Sequence, residues 1–138
     1  MSSHELGAAT TFGQAKEFQD LARLCEVAAA ADRELDARIA CAVFPGLAHL
    51  ARLDIAVWSH DDGSRIRALR YTGEPAAAAM LVPPGHWIEA DHDWHDCVWL
   101  YGPGSDDALS ARHAHRPLAI SAVCLRMRAC LATISRRI

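Results

Sequence analysis

The chain reads as an α+β domain: a mostly antiparallel four-stranded sheet of two hairpins packed between helices, an α/β/α sandwich-like arrangement. Three observations predict this. Apolar residues recur at helical spacing before Val43 and after Pro117; the period drops to two between Arg52 and Tyr71 and again between His86 and Tyr101; and clusters of Gly, Pro, Asp and Ser separate these stretches.

Taken in order, Gln14 to Val43 carries Phe18, Leu21, Cys25, Ala28, Leu35, Ile39 and Ala42 on one helical stripe. Asp32 falls on that stripe, which predicts a break near Ala31 with Asp32 capping a second helix. Phe44-Pro45-Gly46 ends that helix, because proline cannot continue the ladder. Leu53, Ile55 and Val57 alternate with Asp54, Ala56 and Trp58 in a strand, Ser59 to Ser64 makes a loop, and Arg65 to Tyr71 returns with Arg65 and Arg67 on one face and Ile66 and Ala68 on the other. A short helix follows over Glu74 to Val82, with Thr72 as its expected cap, Pro75 in its first turn and Pro83-Pro84-Gly85 as its stop. The second hairpin pairs His86 to Ala90 with Cys97 to Tyr101, which places Trp87 and Trp99 as core residues or a cross-strand pair. Gly102 to His115 reads as a polar loop. The last helix runs from Pro117 to about Thr133, with Ala119, Ile120, Val123, Cys124, Met127, Cys130, Leu131 and Ile134 inward and Ser121, Arg126 and Arg128 away from that face.

A length of 138 residues suits one core, able to bury roughly two thirds of the unfolded surface. The division expected is a helical extension over residues 1–31 followed by the sandwich domain over 32–138. A content of 51% hydrophobic and 22% charged residues is that of a soluble globular domain, and a net charge of −3 gives no field that would draw the chain to nucleic acid or an anionic membrane. Met1 to Gly13 lacks the pattern of a secretion signal, and no window is read as a membrane span. The five cysteines are odd in number and lack C-x-x-C spacing, so reduced, mostly buried thiols in a bacterial cytoplasm are expected. Thirteen of the fourteen basic residues are arginine, which a GC-rich genome explains unless the arginines cluster into a planar anion-recognition site.

The opening Leu35-Asp36-Ala37-Arg38-Ile39-Ala40, the block from Tyr71-Thr72 to Gly85, the tryptophan-bearing hairpin after it and the helix opening Pro117-Leu118-Ala119-Ile120 together resemble the phage ABA sandwich domain, a family of small phage and prophage proteins. The resemblance covers about Asp32 to Thr133 and implies a sheet between helical layers. It carries over no catalytic residue. It implies a phage- or prophage-encoded accessory protein, read here as a non-enzymatic binding or interaction protein whose partner is a protein or a small anionic ligand. The stretch before Asp32 lies outside the family pattern and is a candidate homo-oligomer contact.

Two constellations compete with the pure interaction reading. Arg67, Arg70, Tyr71 and Thr72 converge in sequence on the start of the short helix, where free N–H groups favour an anion and Tyr71 or Trp58 would stack a base; this predicts a sponge-like binder of a phosphorylated or nucleotide small molecule. The hairpin tip Asp91-His92-Asp93-Trp94-His95-Asp96 is the other. With His115, His92 and His95 form a candidate divalent-metal site, and a metal-dependent hydrolase if they converge within ~2 Å of one ion; the alternative is a solvated acidic turn. Trp94 at the tip would mark a partner contact if exposed. Cys97 beside His95 and Asp96 has the atoms of a thiol–imidazole pair, but neighbouring strand residues face opposite ways.

Overall fold

Asp32 divides the N-terminal apolar stripe as its sequence position predicts. The computed structural model describes residues 3–137, with side-chain surroundings for 13–104 and 108–134. In it α1 (Ser3–Val27) and α2 (Arg33–Val43) meet at Asp32, whose extended backbone lets its carboxylate accept from the N–H groups of Glu34 at 2.8 Å and Leu35 at 3.2 Å. Such a cap stabilises a helix by ~1 kcal/mol. Phe44 closes α2, and Pro45 opens a 3₁₀ turn over Pro45–His49. The N-terminal segment expected as an extension contributes Phe18, Leu21, Ala22 and Cys25 to the same core as the rest of the chain.

The β structure is two three-stranded antiparallel sheets rather than one four-stranded sheet. β1 (Ala51–Asp54), β2 (Val57–Ser59) and β3 (Arg65–Arg67) form the first, in that order. The alternation from Leu53 to Trp58, expected as one strand, turns back on itself at Ile55 and Ala56. The Arg52 guanidinium donates to the carbonyls of Asp54 and Ile55, at 3.2 Å and 3.0 Å from Nε, and the Asp54 carboxylate accepts the Ile55 N–H at 2.8 Å. These side-chain bonds satisfy a turn backbone that a periodicity reading cannot see. β3 stops at Arg67 instead of reaching Tyr71.

The second sheet contains β4 (Trp87–Ala90), β5 (Cys97–Gly102) and β6 (Gly104–Arg112), so much of the stretch expected as a polar loop is a strand. Its period of two was hidden by its polar residues: Leu109 and Ala111 pair with Leu100 and Val98 on the inward face, while Ser110 and Arg112 pair with Trp99 and Cys97. Trp87 and Trp99 take the outward face, neither in the core nor directly opposed. Tyr101 lies between them, with ring centroids 5.9 Å from Trp87 and 6.4 Å from Trp99, and Trp87 remains 49% exposed. Gly102 lets the His86 ring close over the end of β5, because a Cβ there would stand 2.7 Å from two ring atoms.

α3 (Pro75–Ala79) is a single turn and a half that stops short of the expected Val82, with Glu74 rather than Thr72 at its N-cap position and no side-chain capping bond, and with Ala77 and Ala78 buried. α4 (Arg116–Arg137) begins one residue before the expected Pro117, which lies in its first turn, and runs on past Thr133. Every residue from Leu118 to Leu125 is buried, because α1, α3, β5 and β6 all pack on α4. The centre of the fold is therefore a helix, as expected for one apolar on all sides. This corrects the one-faced reading. Ser121 is buried and donates to the Tyr71 carbonyl at 2.8 Å; Arg126 donates to the Ser110 carbonyl at 2.8 Å and pairs with Glu26; Arg128 donates to the Leu81 carbonyl at 2.8 Å. Arg116–Ile134 also has a mean hydropathy of 1.5, long and apolar enough by composition to cross a membrane, against the sequence expectation that no window is, and 56% of its most apolar window is buried inside the fold.

Candidate functional site

The segment 68–72 is held against the start of α2 by a polar network. Asp36, on the first turns of α2, is only 1% exposed, and its carboxylate accepts the Thr72 N–H at 2.8 Å, the Thr72 hydroxyl at 2.8 Å and Arg33 at 2.9 Å. The Thr72 hydroxyl has one proton, and the 2.8 Å bond to Asp36 is shorter than the 3.2 Å approach to the Asp32 carbonyl; its oxygen also accepts the Asp32 N–H at 2.8 Å. Arg33 extends the contact by donating to the carbonyls of Ala68 at 3.0 Å and Leu69 at 3.3 Å. From the far side Ser121 holds the Tyr71 carbonyl, and the Ala68 N–H reaches Ala56 at 2.9 Å. Four backbone groups of this irregular stretch, the Ala68, Leu69 and Tyr71 carbonyls and the Thr72 N–H, are thus satisfied by side chains, which fixes its course.

That course forms one wall of a cavity of about 560 Å³. Ala68, Leu69 and Tyr71 face Ala40 of α2, Phe44, Gly46 and Leu47 of the 3₁₀ turn and Leu50, with Ile66, Arg67 and His60 completing the lining. The volume is that of pockets that take small organic ligands, roughly 300–1,000 Å³. Its walls are overwhelmingly apolar and among the described residues include no carboxylate. Two of its polar side chains are exposed and so belong to its solvent side: Arg67, which makes no ion pair among the described residues, and His60. The Asp61 N–H donates to His60 Nδ1 at 3.3 Å, which leaves the ring proton on Nε2. Tyr71 is 2% exposed, and burial pushes its phenol above the usual range, partly countered by Arg128, so the hydroxyl stays protonated.

The four sequence-predicted ligand residues therefore divide. Arg67 and Tyr71 share the cavity. Thr72 is 1% exposed and spent on Asp32 and Asp36, and Arg70 is exposed but lines no part of the cavity. At the start of α3 stands Glu74, an exposed acid whose side chain makes no capping hydrogen bond and whose negative charge opposes an anion there. Sequence reasoning missed the walls from Ala40 to Leu50. Exposed apolar Phe44, 57% accessible beside a proline and a glycine, is the signal that marks them.

Hydrogen bonds to Asp91 organise the histidine-rich tip. Asp91 accepts the N–H groups of Asp93 at 2.8 Å and Trp94 at 3.0 Å and the Trp99 indole at 2.7 Å. These bonds, led by the indole, hold its carboxyl below the usual range. His92 and His95 are both exposed, in bends and turns rather than the helical turn that would bring them together. His115 lies instead beside His113, ring centroids 5.5 Å apart, and His113 bridges to the Ala28 carbonyl at 2.6 Å. Among the described residues no group of three or more His, Cys, Asp or Glu is placed to hold a metal ion. Trp94 is 56% exposed, with the Arg112 guanidinium 4.4 Å from its ring centroid and Arg112 paired to Asp96 at 3.3 Å. Burial raises the Cys97 thiol above its ordinary range, so it is held protonated rather than as a nucleophilic thiolate. No family model, curated protein sequence or solved structure matches the chain at a significant level.

Proposed function

We propose that this chain is a phage- or prophage-encoded, non-enzymatic binding protein that holds a small ligand in the cavity between α2, the 3₁₀ turn and residues 66–71. The observation that carries the binding reading is the cavity itself: apolar, open on one side, and walled by a segment whose backbone is secured by Arg33, Asp36, Thr72 and Ser121. A pre-formed pocket binds without first having to order its walls. The phage origin rests on the short motifs of the Tyr71–Gly85 block and the α4 start. The lining side chains offer apolar contact and the hydrogen-bonding groups of Arg67, His60 and Tyr71, with no thiol or carboxylate in the lining among the described residues.

Gly46 supplies the test. Gly46 lines the cavity and a Cβ there meets nothing within 4 Å, so Gly46→Trp sets a large side chain at the cavity wall without a clash at its Cβ. An anilinonaphthalene sulfonate should bind the native protein saturably, one probe per chain, with enhanced emission. Gly46→Trp should abolish that binding while leaving the thermal midpoint unchanged. Enhancement that is non-saturable, or equal in the variant, would refute the reading.

A further inference from the structure

We propose that the ligand of this cavity is an apolar-bodied monoanion, a carboxylate with an alkyl or aryl tail, and that Arg67 selects its head group. The inference rests on the cavity being the binding site and goes on to its chemistry. Ala40, Leu47, Leu50, Ile66 and Ala68 offer no side-chain hydrogen bond, exposed Phe44 and Leu69 extend the apolar lining outward, and buried Tyr71 adds a single phenol, so a body seated there must be largely apolar. The charged and imidazole groups at the solvent side are donors: the Arg67 guanidinium and the Nε2–H that the Asp61 N–H leaves on His60. A head group meeting them must accept hydrogen bonds, and with no carboxylate in the lining it is not repelled for being negative.

The count of charges sets the class. Among the described residues Arg67 is the only fixed positive charge of the lining, enough for one negative charge in the fork geometry that suits a planar carboxylate. A nucleotide would bring a polar sugar into apolar walls and two or more charges to one guanidinium. The nucleotide reading would draw on Arg70 and Thr72 as well, and neither lines the cavity.

The test compares ligands with one body and two heads. By isothermal titration calorimetry, decanoate should bind the native protein about tenfold more tightly than decanol, the range expected of one charge-assisted contact at a partly exposed site. Arg67→Gln, at an exposed position that leaves the fold intact, should bring the two ligands to equal affinity by weakening decanoate alone. Adenosine monophosphate and inorganic phosphate should not displace decanoate. Equal affinities in the native protein, or a preference untouched by Arg67→Gln, would overturn the monoanion inference while leaving the cavity a binding site. Displacement by the nucleotide would overturn it in favour of a phosphate ligand. Binding of neither decanoate nor decanol would remove the cavity reading as well. So would a dimeric native mass that Gly46→Trp makes monomeric, because a second copy would then be the occupant.

Discussion

Replacing Asp36 tests whether the α2 start is what positions the cavity wall. Asp36→Ala removes the acceptor for the Thr72 N–H and hydroxyl, both in a residue 1% exposed, and the partner of Arg33. Each buried donor left without an acceptor costs ~1–3 kcal/mol. The Thr72 hydroxyl can fall back on the Asp32 carbonyl at 3.2 Å, so its loss lies at the low end. Arg33 is 31% exposed and keeps the Ala68 and Leu69 carbonyls, so its charge is not stranded in the way that makes a broken buried pair most costly. The sum is about 3–4 kcal/mol, a large part of the ~5–15 kcal/mol that holds a domain folded. Asp36→Asn keeps one acceptor and the shape, and should cost about 2 kcal/mol. The assay is urea unfolding at neutral pH, with the slope unchanged between variants. A double-mutant cycle with Thr72→Val should give a coupling of at least ~1 kcal/mol. A loss under about 1 kcal/mol for Asp36→Ala, or additivity with Thr72→Val, would refute the argument that this network bolts residues 68–72 in place.

The thiols should fall into distinct classes. Cys130 is exposed and should react first with a disulfide reagent, whereas Cys25 and Cys124, pushed up to about 12 chiefly by burial, should react only on unfolding; fast labelling of Cys124 in the native protein would contradict the central placement of α4. The same two thiols make stability pH-dependent. Their folded values lie above the ordinary 9.0, so their contribution is complete below pH 9 and is lost as the pH rises from there toward about 12, a decline that Cys25→Ala and Cys124→Ala together should flatten in thermal melts. Gly102→Ala should cost about 1–2 kcal/mol, because the His86 ring must give way to a Cβ 2.7 Å distant; an unchanged melting temperature would show that the ring shifts freely.

How far the sequence was legible depended on whether the signal was local. Asp32 was readable as a cap because a short polar side chain followed by a helical stripe has few other uses at that spacing, and Pro75 in the first turn was readable because proline acts on its own backbone, whereas the helix it opens ends at Ala79, before the Pro83-Pro84-Gly85 stop expected for it. The outward Arg65 and Arg67 followed from the strand period alone, as their exposure on either side of half-buried Ile66 shows. Thr72 could not be read this way. As a threonine ahead of Pro75 it has the signature of a cap, and it became a buried partner of Asp36 only because the fold brings in a carboxylate 36 residues away.

The sequence by itself determined the helices, the outward face of β3 and an α+β class, since these depend on periods and turn chemistry written over a few adjacent residues. Tertiary structure alone decided that Gly104–Arg112 completes a second sheet, that Leu118–Leu125 of α4 is buried on all sides, and that Ala40, Phe44 and Leu47 meet Arg67 and Tyr71 around one cavity. Those outcomes turn on which surfaces exclude water against each other. Burial of an apolar face is rewarded by area, not by direction, so no single segment encodes its partner.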